Sequence, residues 1–277
     1  MTEDLQKWLL LIISAALISI GIALIAIGIL LITLVKAETS PNQTTSFALL
    51  FDGVDDYVQI QNHNTINTIG SGDFTFSAMV YALESEQRRH PQILSNRANE
   101  QNGFLFGFHS HWRGSQNKIP FVQYNQTNWI DYPNQPNLLD NQWHHFVARK
   151  EGNNLTYFAD GKIIVSFTRS ILENYNIASS QPLLIGWDRA NSSATYFKGK
   201  IDEVSIWNRA LSDAEIQSEL LKSIQGNESG LLSYWSFNEG SGNIVKDQSG
   251  NGNDGTIFGA TWTTGWASEI KNKQSSQ

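Results

Sequence analysis

Apolar side chains recur at every second position in one segment after another from residue 47 onward, and this alternation restricts the fold more than any other feature of the chain. Residues 74–80 and 155–159 both alternate apolar with small or polar residues. A period of two places successive side chains on opposite faces of a strand, so that one face can be buried while the other meets solvent. The pair Asp160-Gly161 follows the second run and favours a tight hairpin turn. The pattern therefore predicts an all-β domain of antiparallel strands.

A long apolar run occupies residues 8–35 and contains neither a charged residue nor a proline. As a helix it reaches about 42 Å at ~1.5 Å per residue, which exceeds the ~30 Å hydrocarbon core of a membrane. We expect a transmembrane helix that acts as a signal anchor. A signal peptide cleaved at Ala37 is the alternative, but the run is about twice as long as the apolar region of such peptides usually is, and residues 1–7 carry Glu3 and Asp4 against one lysine.

These patterns divide the chain into five parts. They are a short tail at 1–7, the transmembrane helix at 8–35, a linker at 36–46, a β-sandwich at 47–266 and a flexible tail at 267–277. Within the apolar run, Ala15, Ser19 and Ala23 form a stripe of small residues at four-residue spacing. Such a stripe could let two helices approach closely in a homo-oligomer. Small residues scattered over a lipid-facing helix are the alternative interpretation.

The charge and the cysteine content exclude several classes of protein. The formal net charge is −7 at pH 7, whereas binding to nucleic acid without sequence preference depends on Lys and Arg that neutralise phosphates. The chain contains no cysteine, so it has neither disulfides nor thiolates that bind metal or act as nucleophiles. Nine Trp, eight Tyr and 14 Phe supply the apolar surface for a core that needs no covalent staples. We expect a folded domain without a nucleic-acid partner.

One segment after the apolar run has the pattern of a helix, near residues 212–222. Ser212 stands at the N-cap position, and Glu215 three residues later completes a capping box. Ile216 and Leu220 then share one apolar face. We expect this to be the single short helix of an otherwise all-β domain.

Four stretches carry a further pattern, in order along the chain. They are FDGVDDYV at 51–58, the segment from Trp143-His144-His145 to Asp160-Gly161, GKIDEVSIWNRAL at 199–211, and the segment from Tyr234-Trp235 to Trp262. Together they resemble the laminin G-like domains of the concanavalin A-like lectin and glucanase superfamily. The resemblance implies an antiparallel, two-sheet jelly-roll sandwich that is usually non-catalytic. The last stretch often opens such a domain but closes this chain, so it either completes the sandwich or is the remnant of a second copy.

The resemblance also implies a location, because such domains are usually found outside cells. The polar, Asn-rich loops and the absence of cysteine chemistry agree with that location. We expect a single-pass membrane protein whose C-terminal domain lies outside the cytoplasm, at the cell surface or in the periplasm. If the chain is cleaved at Ala37, the domain is secreted instead.

Carboxylates crowd one predicted turn and suggest a structural calcium ion. Asp52, Asp55 and Asp56 precede a strand, and like charges so close repel each other unless a cation or hydrogen-bond donors neutralise them. Calcium prefers six to eight oxygen ligands. Asp202 follows a glycine-led strand and resembles the metal-proximal position of the family, so we predict Asp52 and Asp202 as ligands, with Asp55 or Asp56. A solvated turn whose aspartates cap backbone amides is the alternative.

A second acidic turn, from Asp247 to Asn253, matches only part of an EF-hand loop. Position 12 of that loop would be Phe258, where an EF-hand needs a bidentate glutamate. The sequence therefore predicts a glycine-rich turn whose side chains bond to their own backbone. Weak calcium binding is the alternative.

Aromatic residues beside amides suggest a carbohydrate site. A pyranose needs an aromatic face for its apolar side and planar polar groups for its hydroxyls. Three stretches combine the two, and from them we predict as ligand-binding residues Trp112, Trp129, Tyr132, Trp187, Asp188 and Arg189. For each aromatic residue alone, packing in the core is the alternative.

Catalytic motifs are missing from the sequence. Glucanases of this fold carry Glu-x-Asp-x-x-Glu on one strand, which turns alternate carboxylates into one cleft, and the chain has no such motif, no Gly-x-Ser-x-Gly elbow and no phosphate loop. We therefore expect a membrane-anchored, non-catalytic, lectin-like module that recognises carbohydrate or glycoprotein. The alternatives are an adhesion or structural sandwich that binds protein, and an accessory domain of a secreted glycoside hydrolase.

Overall fold

The computed structural model describes residues 45–61, 64–97, 103–110, 118–123, 136–174, 176–189, 195–219 and 224–269. In chain order the elements are β1 (Phe47–Asp52), β2 (Tyr57–Ile60), α1 (Asn64–Asn67), β3 (Phe74–Leu83), β4 (Gln92–Ser95), β5 (Leu105–Ser110), β6 (Lys118–Gln123), β7 (Asp140–Glu151), β8 (Asn154–Ala159), β9 (Lys162–Thr168), β10 (Leu183–Ile185), β11 (Lys198–Trp207), α2 (Asp213–Glu219), β12 (Leu231–Trp235), β13 (Ile244–Val245), β14 (Gly255–Phe258) and β15 (Thr261–Thr264). Two 3-10 turns lie at Glu84–Glu86 and Ser170–Asn174.

The strands form two antiparallel sheets. Among the described residues, eight strands make one sheet in the order β15-β1-β11-β3-β7-β8-β9, with β12 also paired to β11, and seven make the other in the order β13-β14-β2-β10-β4-β5-β6. The chain crosses repeatedly between the sheets. For example, β1 and β3 belong to the first sheet, whereas β2 and β4 belong to the second. The predicted all-β, two-sheet antiparallel sandwich is confirmed.

The core lies between the sheets and follows the period of two. In β3, Phe74, Phe76 and Ala78 point into the core, while Thr75 and Ser77 face outward and are covered by other parts of the chain. Helix α2 lies over the outer face of the eight-stranded sheet and buries a second apolar cluster. That cluster comprises Val147, Phe158, Trp207, Leu211, Ile216, Leu231 and Tyr234.

The C-terminal segment completes the sandwich. Strand β12 pairs with β11, β14 pairs with β2, and β15 pairs with β1. Trp235 is fully buried in the core. Of the two possibilities that the sequence left open for Tyr234 to Trp262, the structure therefore shows terminal strands of this one sandwich.

Strand β11 contains an irregularity at its middle. Its first half pairs with β1 and its second half with β12, along the same edge. On the opposite edge the register with β3 shifts between Asp202 and Ser205. Glu203 at this shift has a φ of +50°, a left-handed conformation that is uncommon outside glycine. At the bulge, β12 therefore replaces β1 as the neighbour of β11.

Helical structure is more frequent than the sequence predicts. Helix α2 begins at Asp213 and is described to Glu219, within the predicted range 212–222. The prediction of a single helix is wrong, because α1 and a turn at 266–269 are also helical. Both are only one turn long, so they offer no periodic pattern to detect. The turn at 266–269 lies across the predicted boundary at 266.

The two ends of the sandwich lie side by side. Ser46 N donates a hydrogen bond to Ser268 Oγ at 2.7 Å, and Ser268 N donates to Ser46 Oγ at 2.8 Å. Gly265 N donates to Ser46 O at 2.9 Å. Reciprocal bonds of this kind fasten the start of β1 to the turn that follows β15.

Within the described ranges, no helix combines the length and the apolar character that crossing a membrane requires. The predicted span at 8–35, with the stripe of Ala15, Ser19 and Ala23, lies outside those ranges.

Candidate functional site

The turn between β1 and β2 brings three carboxylates together. Asp52 ends β1, Asp56 directly precedes β2, and Asp55 lies between them. One oxygen from each carboxylate lies within 4.8 Å of the other two. Asp52 and Asp55 are exposed, whereas Asp56 is buried. We call these three residues the acidic loop.

Backbone amides and glycines hold the acidic loop in its shape. Asp52 N donates to Asp56 Oδ2 at 2.7 Å, and Val54 N donates to Asp52 Oδ1 at 2.7 Å. Some of the carboxylate oxygens therefore cap backbone amides. Gly53 has a φ of +79°, which glycine adopts without steric cost. A Cβ on Gly259 would lie 1.9 Å from Asp56 Oδ1, so a larger residue there would displace the carboxylate.

The donor set of the acidic loop fits a hard divalent cation. Burial raises the pKa of Asp56, and the charges of Asp52 and Asp55 raise it further against a backbone hydrogen bond that lowers it. A cation at the shared point between the three oxygens would offset this repulsion. Carboxylate oxygens are the ligands that calcium prefers. The residues present therefore suit calcium better than a soft metal.

Asp202 lies away from the acidic loop. Asp52 pairs with Lys198, and Asp202 is four residues farther along β11, or about 13 Å at ~3.3 Å per residue. Asp202 is buried, and its two oxygens accept the amides of Glu203 at 2.9 Å and Trp266 at 3.0 Å. The prediction that Asp202 joins Asp52 around one ion is corrected, because this carboxylate instead connects the bulge of β11 to the C-terminal turn.

Four aromatic side chains form a row beside the acidic loop. Phe258 and Tyr57 stack with ring centroids 4.8 Å apart, Tyr57 and Trp187 lie 5.2 Å apart, and Trp187 and Tyr196 stack at 5.1 Å. Phe258 is 40% exposed and the other three are half-buried. Burial raises the pKa of Tyr196, with contributions from the nearby Tyr57 and Asp55, so the row borders the loop. We call these four residues the aromatic row.

The alternation of β2 explains why this row faces outward. Val58 and Ile60 point into the core, so Tyr57 lies on the outer face of the seven-stranded sheet. Phe258 is the residue opposite Tyr57 in β14. Trp187 follows β10, whose Ile185 pairs with Val58. Phe258 on β14, Tyr57 on β2 and Trp187 just after β10 therefore lie together at one end of the sheet.

Hydrogen-bonded planar groups continue the same face beyond Tyr57. Arg189 donates from Nη1 to Gln181 Oε1 at 2.9 Å and from Nη2 to Gln59 Oε1 at 3.5 Å. Gln59 Nε2 donates in turn to Gln61 Oε1 at 3.0 Å. We call Gln181, Arg189, Gln59 and Gln61 the polar row. Together the two rows present aromatic surface beside amide and guanidinium groups.

Two of the predicted ligand-binding residues lie on this face, and one does not. Trp187 belongs to the aromatic row and Arg189 to the polar row. The prediction that Asp188 binds the ligand is corrected, because this residue is fully buried. Its Oδ2 lies 2.5 Å from Arg97 Nη2, and its Oδ1 accepts a hydrogen bond from Ser95 Oγ at 2.9 Å. The predictions at Trp112, Trp129 and Tyr132 lie outside the described residues.

Sequence reasoning missed Tyr57, Phe258 and Tyr196. The signal for Tyr57 was present in the alternation of β2. Val58 and Ile60 are the buried positions of this strand, so Tyr57 must lie on its other face. Phe258 gave a similar signal as the last residue of β14, with the buried Ile257 before it. Their meeting depends on strand pairing between distant segments, which the local pattern does not contain.

A separate polar trio lies beneath α2. Ser77 Oγ lies 2.7 Å from His145 Nε2 and donates to Glu219 Oε2 at 2.9 Å. Glu219 Oε2 lies 3.2 Å from the same His145 nitrogen. In a nucleophile relay the carboxylate bonds the opposite ring nitrogen, but His145 Nδ1 has no hydrogen-bond partner in the described part of the chain. The trio therefore lacks relay geometry and fastens α2 to the sheet.

The second acidic turn bonds to its own backbone. Asp247 Oδ1 accepts the amides of Tyr234 at 3.1 Å and Ser249 at 3.0 Å, and Oδ2 accepts the amide of Asn253 at 2.9 Å. The prediction of a backbone-bonded, glycine-rich turn is confirmed.

Solved structures share this fold. A protein of Bacteroides ovatus ATCC 8483 to which carbohydrate binding is ascribed matches with a TM-score of 0.60 and 18% identity, over 79% of this chain and 60% of that protein. This chain thus spans only about 60% of the length of that protein. A heptameric SAP-like pentraxin from Limulus polyphemus matches with a TM-score of 0.52 and 14% identity, over 78% of this chain and 96% of the pentraxin. At these identities the likeness shows the fold alone.

Sequence comparison identifies the family. No curated protein matches the chain. The family model of laminin G type described as the concanavalin A-like lectin/glucanases superfamily matches residues 52–217, which is more than half of the 277 residues. That range includes the acidic loop and, except for Phe258, the aromatic row. The chain belongs to the concanavalin A-like lectin/glucanases superfamily.

Proposed function

We propose that the sandwich is a non-catalytic carbohydrate-binding module whose ligand lies on the aromatic row. The observation that carries this proposal is the row itself, four partly exposed rings with the polar row at their side. Aromatic faces suit the apolar side of a sugar ring, and planar amides and guanidinium groups suit its hydroxyls. The carbohydrate binding ascribed to the Bacteroides ovatus protein, which has the same fold, supports the proposal.

Replacing Trp187 by Ala tests the aromatic row. The full chain, kept in a detergent without a sugar headgroup, is applied to a glycan array, and its best ligand is then titrated by calorimetry. We expect Trp187→Ala to weaken binding about tenfold or more, because a central aromatic contact of this kind commonly contributes at least that much. The melting temperature of the variant verifies that the fold is retained.

Tyr81→Ala is the matched control for this test. Tyr81 is a half-buried aromatic residue that contacts Trp143 on the eight-stranded sheet, away from the aromatic row. Its removal should leave glycan affinity unchanged. If Trp187→Ala binds the glycan as tightly as the native chain does, the aromatic row is not the site.

We also propose that a calcium ion binds the acidic loop and stabilises it. Three carboxylate oxygens within 4.8 Å of one another and the raised pKa of Asp56 support this assignment. A bound ion stabilises only the folded state, so millimolar Ca²⁺ should raise the melting temperature by a few degrees, with about 2–4 °C for each kcal/mol in a domain of this size. Asp55→Asn should reduce the shift, and Asp247→Asn, in the backbone-bonded turn, should leave it in place. An unchanged melting temperature with Ca²⁺ or with chelator would contradict the assignment.

The third part of the proposal is a membrane tether. Residues 8–35 are apolar and uncharged over a length that exceeds the hydrocarbon core. With this tether the carbohydrate-binding face lies outside the cytoplasm. The protein should then stay in the membrane fraction after alkaline carbonate washing, and protease added outside intact cells should digest the domain. Recovery of a soluble chain that begins after Ala37 would favour the secreted form instead.

A further inference from the structure

The guanidinium of Arg189 is held in place by neutral groups. Its two described hydrogen bonds go to amide oxygens, those of Gln181 at 2.9 Å and Gln59 at 3.5 Å. Because a guanidinium has only donors, the amide oxygens rather than the amide nitrogens must face it. Of its five N–H donors, the described residues use two, which leaves three that a ligand can use. The flanking amides fix the plane of the fork before any ligand arrives.

Among the described residues, no carboxylate forms an ion pair with Arg189. Arg97, Arg149 and Arg209 each form an ion pair with an aspartate or glutamate, whereas in the described ranges no such pair involves Arg189. The residues that follow it, from 190 to 194, are Ala, Asn, Ser, Ser and Ala and include no acid. A half-buried guanidinium with amide partners among the described residues therefore lies beside the aromatic row.

The acidic loop lies toward the other end of this face. Asp56 precedes Tyr57, and Gln59 lies two residues farther along β2, about 7 Å from Tyr57 at ~3.3 Å per residue. A ligand on the aromatic row thus meets the positive charge of Arg189 near Gln59. An anionic group on the ligand would be placed at the Arg189 end.

From this arrangement we infer that the ligand is an acidic saccharide, whose sugar carboxylate binds Arg189 while the apolar face of the ring lies against Trp187. The inference rests on the proposed carbohydrate-binding function and adds the class of sugar. A planar carboxylate matches the guanidinium fork with two parallel hydrogen bonds. Uronic acids and sialic acids both carry such a group, so the chemistry they share is the carboxylate rather than one particular sugar.

The test compares sugars that differ only in the carboxylate. The probes are trigalacturonate against its methyl ester, and sialyllactose against its methyl ester, titrated into the full chain in a detergent without a sugar headgroup. We expect the native chain to bind at least one acidic probe about 10- to 100-fold more tightly than its neutral counterpart, because hydrogen bonds to a charged group are the stronger ones. Arg189→Gln should remove this preference, because the affinity for the acidic probe should fall far more than the affinity for its neutral counterpart.

Two further variants separate charge from geometry. Arg189→Lys keeps the charge but loses the fork, so it should recover only part of the preference. Arg88→Gln is the matched control, because Arg88 donates from Nε to the carbonyl of Gly53 at 2.6 Å and lies near Tyr196 of the aromatic row. It should keep the preference for the acidic probe.

The outcomes distinguish the inference from the function on which it rests. Equal binding of acidic and neutral probes, with binding still lost in Trp187→Ala, overturns the inference and leaves the carbohydrate-binding function standing. A sulfated oligosaccharide that competes as well as the carboxylate probes, and equally in Arg189→Lys, also overturns it, because charge alone would then account for binding. No binding of any sugar overturns both.

Discussion

Glu203 is the residue at which β11 changes partners, and its side chain is buried where a charge is costly. Its carboxylate accepts the hydroxyl of Tyr234. Burial raises the pKa of Glu203 to about 7, the charge of Glu219 adds to the effect, and Tyr234 and His145 oppose it. Burial likewise raises the pKa of the neighbouring Asp202. The bulge therefore places two carboxyl groups in a setting that favours their neutral forms.

Stability should consequently depend on pH through Glu203. Because the pKa in the folded state, about 7, is raised above the ordinary value, stability is greatest below the unfolded pKa of about 4.3 and falls as the pH rises through 7. Glu203→Gln keeps an acceptor for Tyr234 and removes the charge. We expect the variant to unfold like the native chain near pH 4 and to be more stable by about 1–3 kcal/mol at pH 8. Urea unfolding at several pH values measures this difference.

Glu151→Gln provides the control, since Glu151 is exposed and its removal should not change the pH profile. A Glu203→Gln variant with the native pH profile would mean that this carboxylate titrates at its ordinary pKa.

Single residues also show what the sequence could not reveal. Trp187 and Asp188 are neighbours, yet one lies in the aromatic row and the other is buried against Arg97. An acidic residue beside a half-buried aromatic residue is a reasonable ligand candidate, and only the ion pair of Asp188 with a distant residue shows otherwise. Asp202 misled for a similar reason, because the amide of Trp266 that it accepts is 64 positions away.

At the scale of elements, α2 is fixed at both ends. Ser212 and Glu215 form the predicted capping box, with Ser212 N donating to Glu215 Oε2 at 2.8 Å and Glu215 N to Ser212 Oγ at 3.3 Å. The guanidinium of Arg209 also bonds Glu215 and, as the main cause, lowers the pKa of that carboxyl to about 2. Toward its other end, Glu219 bonds Ser77 of the sheet.

Removing the cap should loosen α2. We expect Ser212→Ala to lower the free energy of unfolding by about 1 kcal/mol, the usual cost of losing an N-cap hydroxyl. Gln217→Ala, at an exposed position of the same helix, should change it by less than about 0.5 kcal/mol. The two variants are compared by urea unfolding, and equal stabilities would show that the cap contributes nothing measurable.

Elements differ in how far their sequence predicts them. The capping box of α2 is local, so two residues were enough to place the start of the helix. Helix α1 depends on Asn67, whose side chain bonds the backbone of Ser179, and the turn at 266–269 depends on Ser46. Such turns are stabilised by distant partners, and no local pattern records them.

At the scale of the whole molecule, the last strands hold both sheets together. Strands β12 and β15 pair in one sheet and β14 in the other. Period-two alternation and the family resemblance were sufficient to predict the sandwich. They were not sufficient to assign the C-terminal segment, because its role rests on pairing with strands near the start of the domain.

Truncation tests this closure. A chain that ends at Gly230 loses one partner strand each for β1, β2 and β11, and it loses the fully buried Trp235. We expect it to lose cooperative thermal unfolding, because the core is left open to water on one side. A chain that ends at Glu269 is the control and should unfold as the native chain does. Cooperative unfolding of the shorter chain at the native temperature would show that the terminal strands are dispensable.

The reciprocal bonds between Ser46 and Ser268 have a consequence for protein engineering. Because the chain enters and leaves the sandwich at one spot, a short peptide should suffice to join the two ends. New termini could then be opened at the hairpin of Asp160 and Gly161, giving a circular permutant. By the same geometry the sandwich could be spliced into a surface loop of a host protein as a cassette, displaying its aromatic row without forcing the host loop apart.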